Sequence, residues 1–287
     1  MNIWVQGARP RTLPAAVVPV AVGTALCVGE GDARWWRAIL ALGVSLLLQI
    51  GVNFANDYSD GVRGTDATRI GPTRLTASGL VSPSRVKRAA LLGFAAAAVL
   101  GLVLALVTSL WLLVVGAAAL LAGWFYTGGK HPYGYFGLGE LFVFVFFGLV
   151  ATVGTVFVIS ERIPALAWVL GAAIGALACA LLVVNNLRDI PTDSKVGKRT
   201  LAVRLGDQRT RHLYVFLVIA ALGSSAAGAL WNPGCLAVLA AIPVAIAPIS
   251  SVRSGVTGAG LIEVLGRTGR LQLVVGLALS VGLVIAS

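Results

Sequence analysis

Apolar residues run through this chain in long blocks, and polar residues are confined to short stretches between them. Nine blocks are predicted as helices that cross a membrane: 12–28, 36–56, 89–109, 111–126, 136–159, 165–186, 214–231, 235–251 and 271–285. A span needs about 20 apolar residues, and the fourth and eighth blocks are short. Pro14, Pro19, Pro243 and Pro248 fall inside blocks, where neighbouring helices can satisfy the carbonyls that proline frees. The expected fold class is therefore all-α: a polytopic membrane protein of nine transmembrane helices, with 1–287 forming one domain. Two Asn/Asp clusters, four blocks apart, suggest a pseudo-repeat of 12–126 and 136–251, followed by a ninth helix over 271–285.

Composition agrees with the pattern. The chain is 58% hydrophobic and 11% charged, with mean hydropathy +0.92. A soluble chain would carry about 25% charged residues, so a soluble fold is excluded. The net charge of +11 could suggest nucleic acid, but the cations lie in the short stretches between apolar blocks. There they report topology and anion binding, and no nucleic-acid partner is expected. With the N-terminus and the stretches after blocks two, four, six and eight on one side, that side holds 19 of the 22 basic residues. The positive-inside rule makes it cytoplasmic. The expected location is the inner (cytoplasmic) membrane, multi-pass, with a cytoplasmic N-terminus. The same side carries 8 of the 11 acids, which puts the candidate active site at the cytoplasmic face. Cys27, Cys179 and Cys235 fall in apolar blocks with no disulfide or metal spacing.

Two clusters carry the chemistry. Asn56 closes the second block, with Asp57, Asp60 and Asp66 just past it, and Asn185 stands at the end of the sixth, with Asp189 and Asp193 just past it. Asn56 and Asp60 are spaced i,i+4, as are Asp189 and Asp193, so each set shares a helical face. Acids beside hydrocarbon are costly and mark function, and like charges this close need a cation between them. Oxygen ligands at this density suit Mg²⁺, which substrate phosphates complete. Asn56, Asp57, Asp60, Asp66, Asp189 and Asp193 are the expected metal ligands. Arg63, Arg69, Arg74, Arg188 and Lys198, with Tyr126, Thr127 and Lys130 after the fourth block, are expected to bind diphosphate. Arginine forks grip phosphate oxygens in pairs and lysine supplies a point charge. Asp60, Asp189, Asp193 and Lys198 are expected to be catalytic. Arg9 and Arg11, with Asn185, are the candidates for holding an aromatic acid, because the cations stand apart from the acidic clamp. Together these point to a lipid diphosphate whose tail lies among helices.

The motifs resemble those of the UbiA superfamily of intramembrane prenyltransferases. The resemblance rests on Asn56-Asp57-Tyr58-Ser59-Asp60 with Asp66, and on Asp189-Ile190-Pro191-Thr192-Asp193 with Lys198. Asn56 and Asp60 match the usual Asn-x-x-x-Asp-x-x-x-Asp, but Gly64 stands at the third position and the acid comes two residues later, as Asp66. That departure, with Arg69 to Arg74, Asn185 to Asp189, Gly197 to Leu201 and Ala8 to Pro14, is similar to the menaquinone branch. The resemblance implies Mg²⁺ as cofactor, and polyprenyl diphosphate and 1,4-dihydroxy-2-naphthoate as partners within membrane lipid. It implies a prenyl transfer that releases CO₂ and diphosphate and gives demethylmenaquinone. Other readings stay open at this point: an acceptor of the 4-hydroxybenzoate or homogentisate type, an ion-coupled transporter, or a lipid phosphotransferase.

Overall fold

The computed structural model describes residues 2–65 and 73–286. Every described secondary-structure element is helical. Helix α1 (Ile3–Ala8) leads through a short 3₁₀ turn into α2 (Pro14–Gly29), and these two are bent by 53°. Then come α3 (Trp35–Arg63), α4 (Pro83–Val107) and α5 (Trp111–Phe125). Helix α6 (Gly139–Val143), a π-helical stretch (Phe144–Val150) and α7 (Ala151–Ser160) make one span. They are followed by α8 (Ala165–Lys195) and α9 (Leu201–Ala227). A 3₁₀ stretch (Pro233–Ala241) runs into α10 (Ile242–Arg253), and α11 (Gly260–Ile285) closes the chain.

Seven of these stretches are long and apolar enough to cross a membrane. The first expected block is the bent pair, an eighth crossing if taken as one span. The fourth, α5, has 15 residues, roughly 22 Å of helix at 1.5 Å per residue, which is less than a bilayer's hydrocarbon thickness. Several helices outrun their apolar blocks. Helix α8 continues through Pro191 to Lys195, α9 begins at Leu201 with a break at Gly206 (φ 77°), and α11 begins at Gly260. Hydropathy sees only the part in hydrocarbon, whereas a helix ends where its backbone is broken. So Arg63, Arg188, Lys195 and Arg204 stand on helices and not in loops.

Helix α8 is the axis. Its apolar window is 78% buried, against 28–44% for the other six spans. Its alanines and glycines let neighbours approach closely, and it packs on α2, α7, α9, α11 and the π-helical stretch. At the crossing with that stretch, a Cβ on Gly148 would lie 2.5 Å from the Gly175 Cα and 2.7 Å from the Gly171 oxygen. Those are backbone atoms and cannot swing aside. Gly148→Ala is expected to cost about 1–3 kcal/mol, read as a lower melting temperature in detergent. An unchanged melting temperature would mean the crossing is looser than described.

At the end of α3 away from the acids, Arg37 is buried. It donates to the Val158 oxygen (3.0 Å), the Val107 oxygen (3.1 Å) and Glu161 Oε1 (2.8 Å). One guanidinium thus ties the start of α3 to the ends of α4 and α7. Arg34 also pairs with Glu161.

Candidate active site

The last turns of α3 and α8 bring the two clusters together. Asn56 and Asp60 on α3, and Asn186, Arg188, Asp189 and Asp193 on α8, are all buried. Lys198, just past α8, sits between the helices. Its Nζ lies 3.8 Å from Asp60 Oδ2 and 3.6 Å from Asp193 Oδ1. Asp60 Oδ1 accepts a hydrogen bond from the Tyr135 hydroxyl at 2.8 Å, and the Lys198 Nζ stands 5.2 Å from the Tyr135 ring. Burial first, and then the Asp60 carboxylate, push the Tyr135 phenol well above its usual pKa. It therefore stays a donor. Arg188 grips Asp189 through Nε and Nη2, each at 2.7 Å, and reaches Asn185 Oδ1 at 2.9 Å.

Most of these groups form the polar end of a cavity of about 820 Å³, though Asp193 and Tyr135 stand behind its wall. Asn56, Asp60, Arg74, Tyr126, Thr127, Arg188, Asp189 and Lys198 line it, as do Arg9, Arg11 and Asn185. Away from them the wall turns apolar, through Phe142, Phe146 and Val150 to Leu104 and Val158. Tyr133 stacks on Phe142 at 4.0 Å, and Phe142 on Phe146 at 6.1 Å.

Not every expected residue faces the cavity. Asp57 is 1% exposed, and its two oxygens accept from the Leu75 and Thr76 backbone N–H groups, both at 2.8 Å. That grip, with Leu75 plugged into a small apolar cluster against Phe54 and Val86, presents the neighbouring Arg74 to the cavity. Arg63 donates to the Thr127 and Gly129 carbonyls and lies over the Tyr135 ring. It holds the turn after α5, and the Thr127 hydroxyl in turn donates to Asn56 Oδ1 at 2.7 Å. Lys130 is exposed and away from the cavity wall. Asp66 and Arg69 lie outside the described residues.

Arg9 occupies the left-handed region at φ 54°, and its Nη2 donates to the Asn53 oxygen at 3.1 Å. Asn53 Nδ2 holds the Ala8 oxygen (2.8 Å) and Thr12 Oγ1 (3.0 Å), and Gln49 Nε2 also reaches Thr12 Oγ1 (3.0 Å). The bend between α1 and α2 is thus pinned to α3, and both arginines are carried to the cavity. Gln49 and Asn53 lie outside the two Asn/Asp clusters. Their signal in the sequence is that of amides on the face of a membrane helix.

The described carboxylates fit a bound cation. Lys198 already stands between acids of two helices, and Asp60, Asp189 and Asp193 present hard oxygens. Among the described residues no three acidic, imidazole or thiol side chains close on one point. Mg²⁺ does not need them to, since it takes one or two carboxylates plus waters and phosphate oxygens.

The UbiA prenyltransferase family matches residues 16–255 of the chain. The chain belongs to this family. Among curated relatives it is 51% identical over 277 residues to a Mycobacterium tuberculosis protein named 1,4-dihydroxy-2-naphthoate octaprenyltransferase, covering 96% of this chain and 95% of that one. An Escherichia coli protein of the same name is 41% identical over 228 residues, covering 76% and 73%. Among solved structures, a UbiA homolog from Archaeoglobus fulgidus bound to GPP and Mg²⁺ has a TM-score of 0.68 at 16% identity, covering 98% and 100%. The apo UbiA homolog from Aeropyrum pernix K1 has 0.72 at 17%, covering 93% and 97%. The fold is that of the UbiA proteins, and this chain is a multi-pass membrane prenyltransferase.

Proposed function

We propose that this UbiA-family enzyme transfers a polyprenyl group from polyprenyl diphosphate to 1,4-dihydroxy-2-naphthoate, releasing CO₂ and diphosphate and giving demethylmenaquinone. The observation that carries the reading is the single cavity that joins a charged clamp at one end to an apolar, aromatic-lined wall at the other. A diphosphate with a long apolar tail fits that division. The names of the curated relatives support the naphthoate as acceptor.

In this reading Asp60, Asp189 and Asp193, with Asn56, hold Mg²⁺, which when bound neutralises diphosphate oxygens and assists departure of the leaving group. Asp57 serves the Arg74 segment instead. Lys198, Arg74 and Arg188, with Tyr126 and Thr127, face the diphosphate and stabilise charge where it develops. The allylic C–O bond breaks, and diphosphate leaves with the electron pair. The faces of Tyr133, Phe142 and Phe146 favour the resulting cation, and the dry wall denies it water. The ring carbon bearing the carboxylate attacks the cation. The ring–carboxylate bond then breaks, CO₂ leaves, and that electron pair restores the aromatic ring. Arg9 and Arg11 hold the carboxylate before its loss, with Asn185 beside Arg188 at the same end.

The charge distribution supports a cytoplasmic N-terminus and site in the inner membrane. Arg37 and Asp60 lie roughly 35 Å apart along α3 at 1.5 Å per residue, so the sparse and the rich cation faces are on opposite sides of a bilayer. We read 1–287 as one domain, with α5 and the bent pair completing nine segments, and 12–126 and 136–251 as halves each contributing one Asn/Asp motif.

The test is product mass from purified protein given one prenyl diphosphate and a panel of aromatic acids. The expected product appears with 1,4-dihydroxy-2-naphthoate and lacks the carboxylate. Prenylated 4-hydroxybenzoate as the main product would move the enzyme to another acceptor, and a phosphorylated acceptor would make it a phosphotransferase.

A further inference from the structure

Asn186 lines the cavity. Its Nδ2 donates to Glu140 Oε1 at 3.0 Å, and it makes no other side-chain hydrogen bond among the described residues. Glu140 is itself buried, behind the wall at the start of α6. Its backbone oxygen takes the Cys179 thiol at 3.0 Å, and its Oε2 is buried without a hydrogen-bond partner. An amide carries donors on one side and an acceptor on the other, and Glu140 Oε1 accepts here whether the carboxyl is charged or carries its proton on Oε2. Glu140 therefore fixes the sense of the Asn186 amide, with NH₂ toward Glu140 and Oδ1 turned away from it. The wall gains a fixed hydrogen-bond acceptor that offers no donor.

Such a group selects a hydroxyl. In 1,4-dihydroxy-2-naphthoate the 1-hydroxyl is ortho to the carboxylate and closes an internal hydrogen bond with it. The 4-hydroxyl has no internal partner. We propose that Asn186, held in this sense by Glu140, accepts the hydrogen bond of the acceptor's 4-hydroxyl. Asn186 is then a specificity residue and Glu140 a positioning residue. A carboxylate is turned away from this point, because it would meet the amide oxygen, and so the ring is oriented with its acid toward the cations at the α1–α2 bend. This inference rests on the naphthoate reading above.

The test uses the purified full chain and two ligands. One is 1,4-dihydroxy-2-naphthoate as substrate, and the other is 1-hydroxy-2-naphthoate, which lacks the 4-hydroxyl, as competitive inhibitor. In the wild type the substrate KM is expected to lie about tenfold below the inhibition constant of the analogue, the worth of one buried hydrogen bond. Asn186→Leu closes this gap by raising the substrate KM, while the analogue and the prenyl diphosphate KM hardly move. Glu140→Gln leaves the wall intact but lets the amide flip, because glutamine both donates and accepts; it narrows the gap, and it decides the matter if the leucine variant does not fold. An undiminished gap in either folded variant, with the prenyl diphosphate KM unchanged, overturns the inference alone. A wild type that does not prenylate the naphthoate overturns the acceptor reading and this inference with it.

Discussion

Asp60→Ala is expected to lower turnover by about 10²–10³-fold, the usual loss when one preorganised charge-stabilising group is removed. Asp60 earns this prediction by position. One oxygen takes the Tyr135 hydroxyl and the other faces Lys198, which also faces Asp193. Removing the carboxylate leaves Lys198 drawn toward α8 and Tyr135 without its acceptor, so the leaving group meets a displaced cation. Asp193→Ala is expected to act in the same direction, and Lys198→Ala to lower kcat with the acceptor KM little changed. Asp207 pairs with Arg211 on α9 and lies outside the cavity, so Asp207→Ala should leave kcat near wild type. Single-turnover rates with saturating substrates are the measurement. A folded Asp60→Ala enzyme with wild-type turnover would remove that residue from the clamp.

Chelation by EDTA is expected to suppress turnover by about 100-fold or more, with Mg²⁺ restoring it, since a bound dication contributes several kcal/mol to a developing anion. The informative comparison is within the first motif. Asp60→Ala should raise the Mg²⁺ concentration needed for half-maximal rate. Asp57→Ala should leave that concentration unchanged and instead lower the melting temperature, because it strips a buried and a half-buried backbone N–H group of their acceptor, at about 1–3 kcal/mol. If Asp57→Ala shifts the Mg²⁺ requirement as far as Asp60→Ala does, both are ligands and the division fails.

The sequence made the skeleton legible because membrane helices write themselves as long apolar blocks, and because acids beside such blocks have few structural reasons to exist. It also placed Asp60, Asp189, Asp193 and Lys198 in one clamp, and the structure does bring Lys198 between Asp60 and Asp193. It could not separate Asp57 from Asp60. Both are acids one turn apart, and the difference lies in backbone N–H groups at 75 and 76, on a segment that returns from elsewhere. Arg63 and Lys130 looked like anion ligands for the same reason: charge is visible in a sequence, but whether it meets a carbonyl or a cavity depends on tertiary position. Glu140 and Asn186 are 46 residues apart, and nothing local announces their pairing. The continuation of α8 through Pro191 was hidden because proline reads as a stop. Here the helix carries on past it, with the Thr192 hydroxyl held on the Asp189 oxygen.

The Arg37 tie also bears on the cavity. Ala41, Leu104 and Val158 line the cavity; Ala41 stands one helical turn from Arg37, Leu104 about one turn from Val107, and Val158 itself gives Arg37 an acceptor. The tie therefore stands next to the apolar end of the cavity, the end away from the clamp. Arg37 is buried there, and breaking a buried charge pair costs more than the pair itself contributes, so that apolar end depends on a charge as much as on packing.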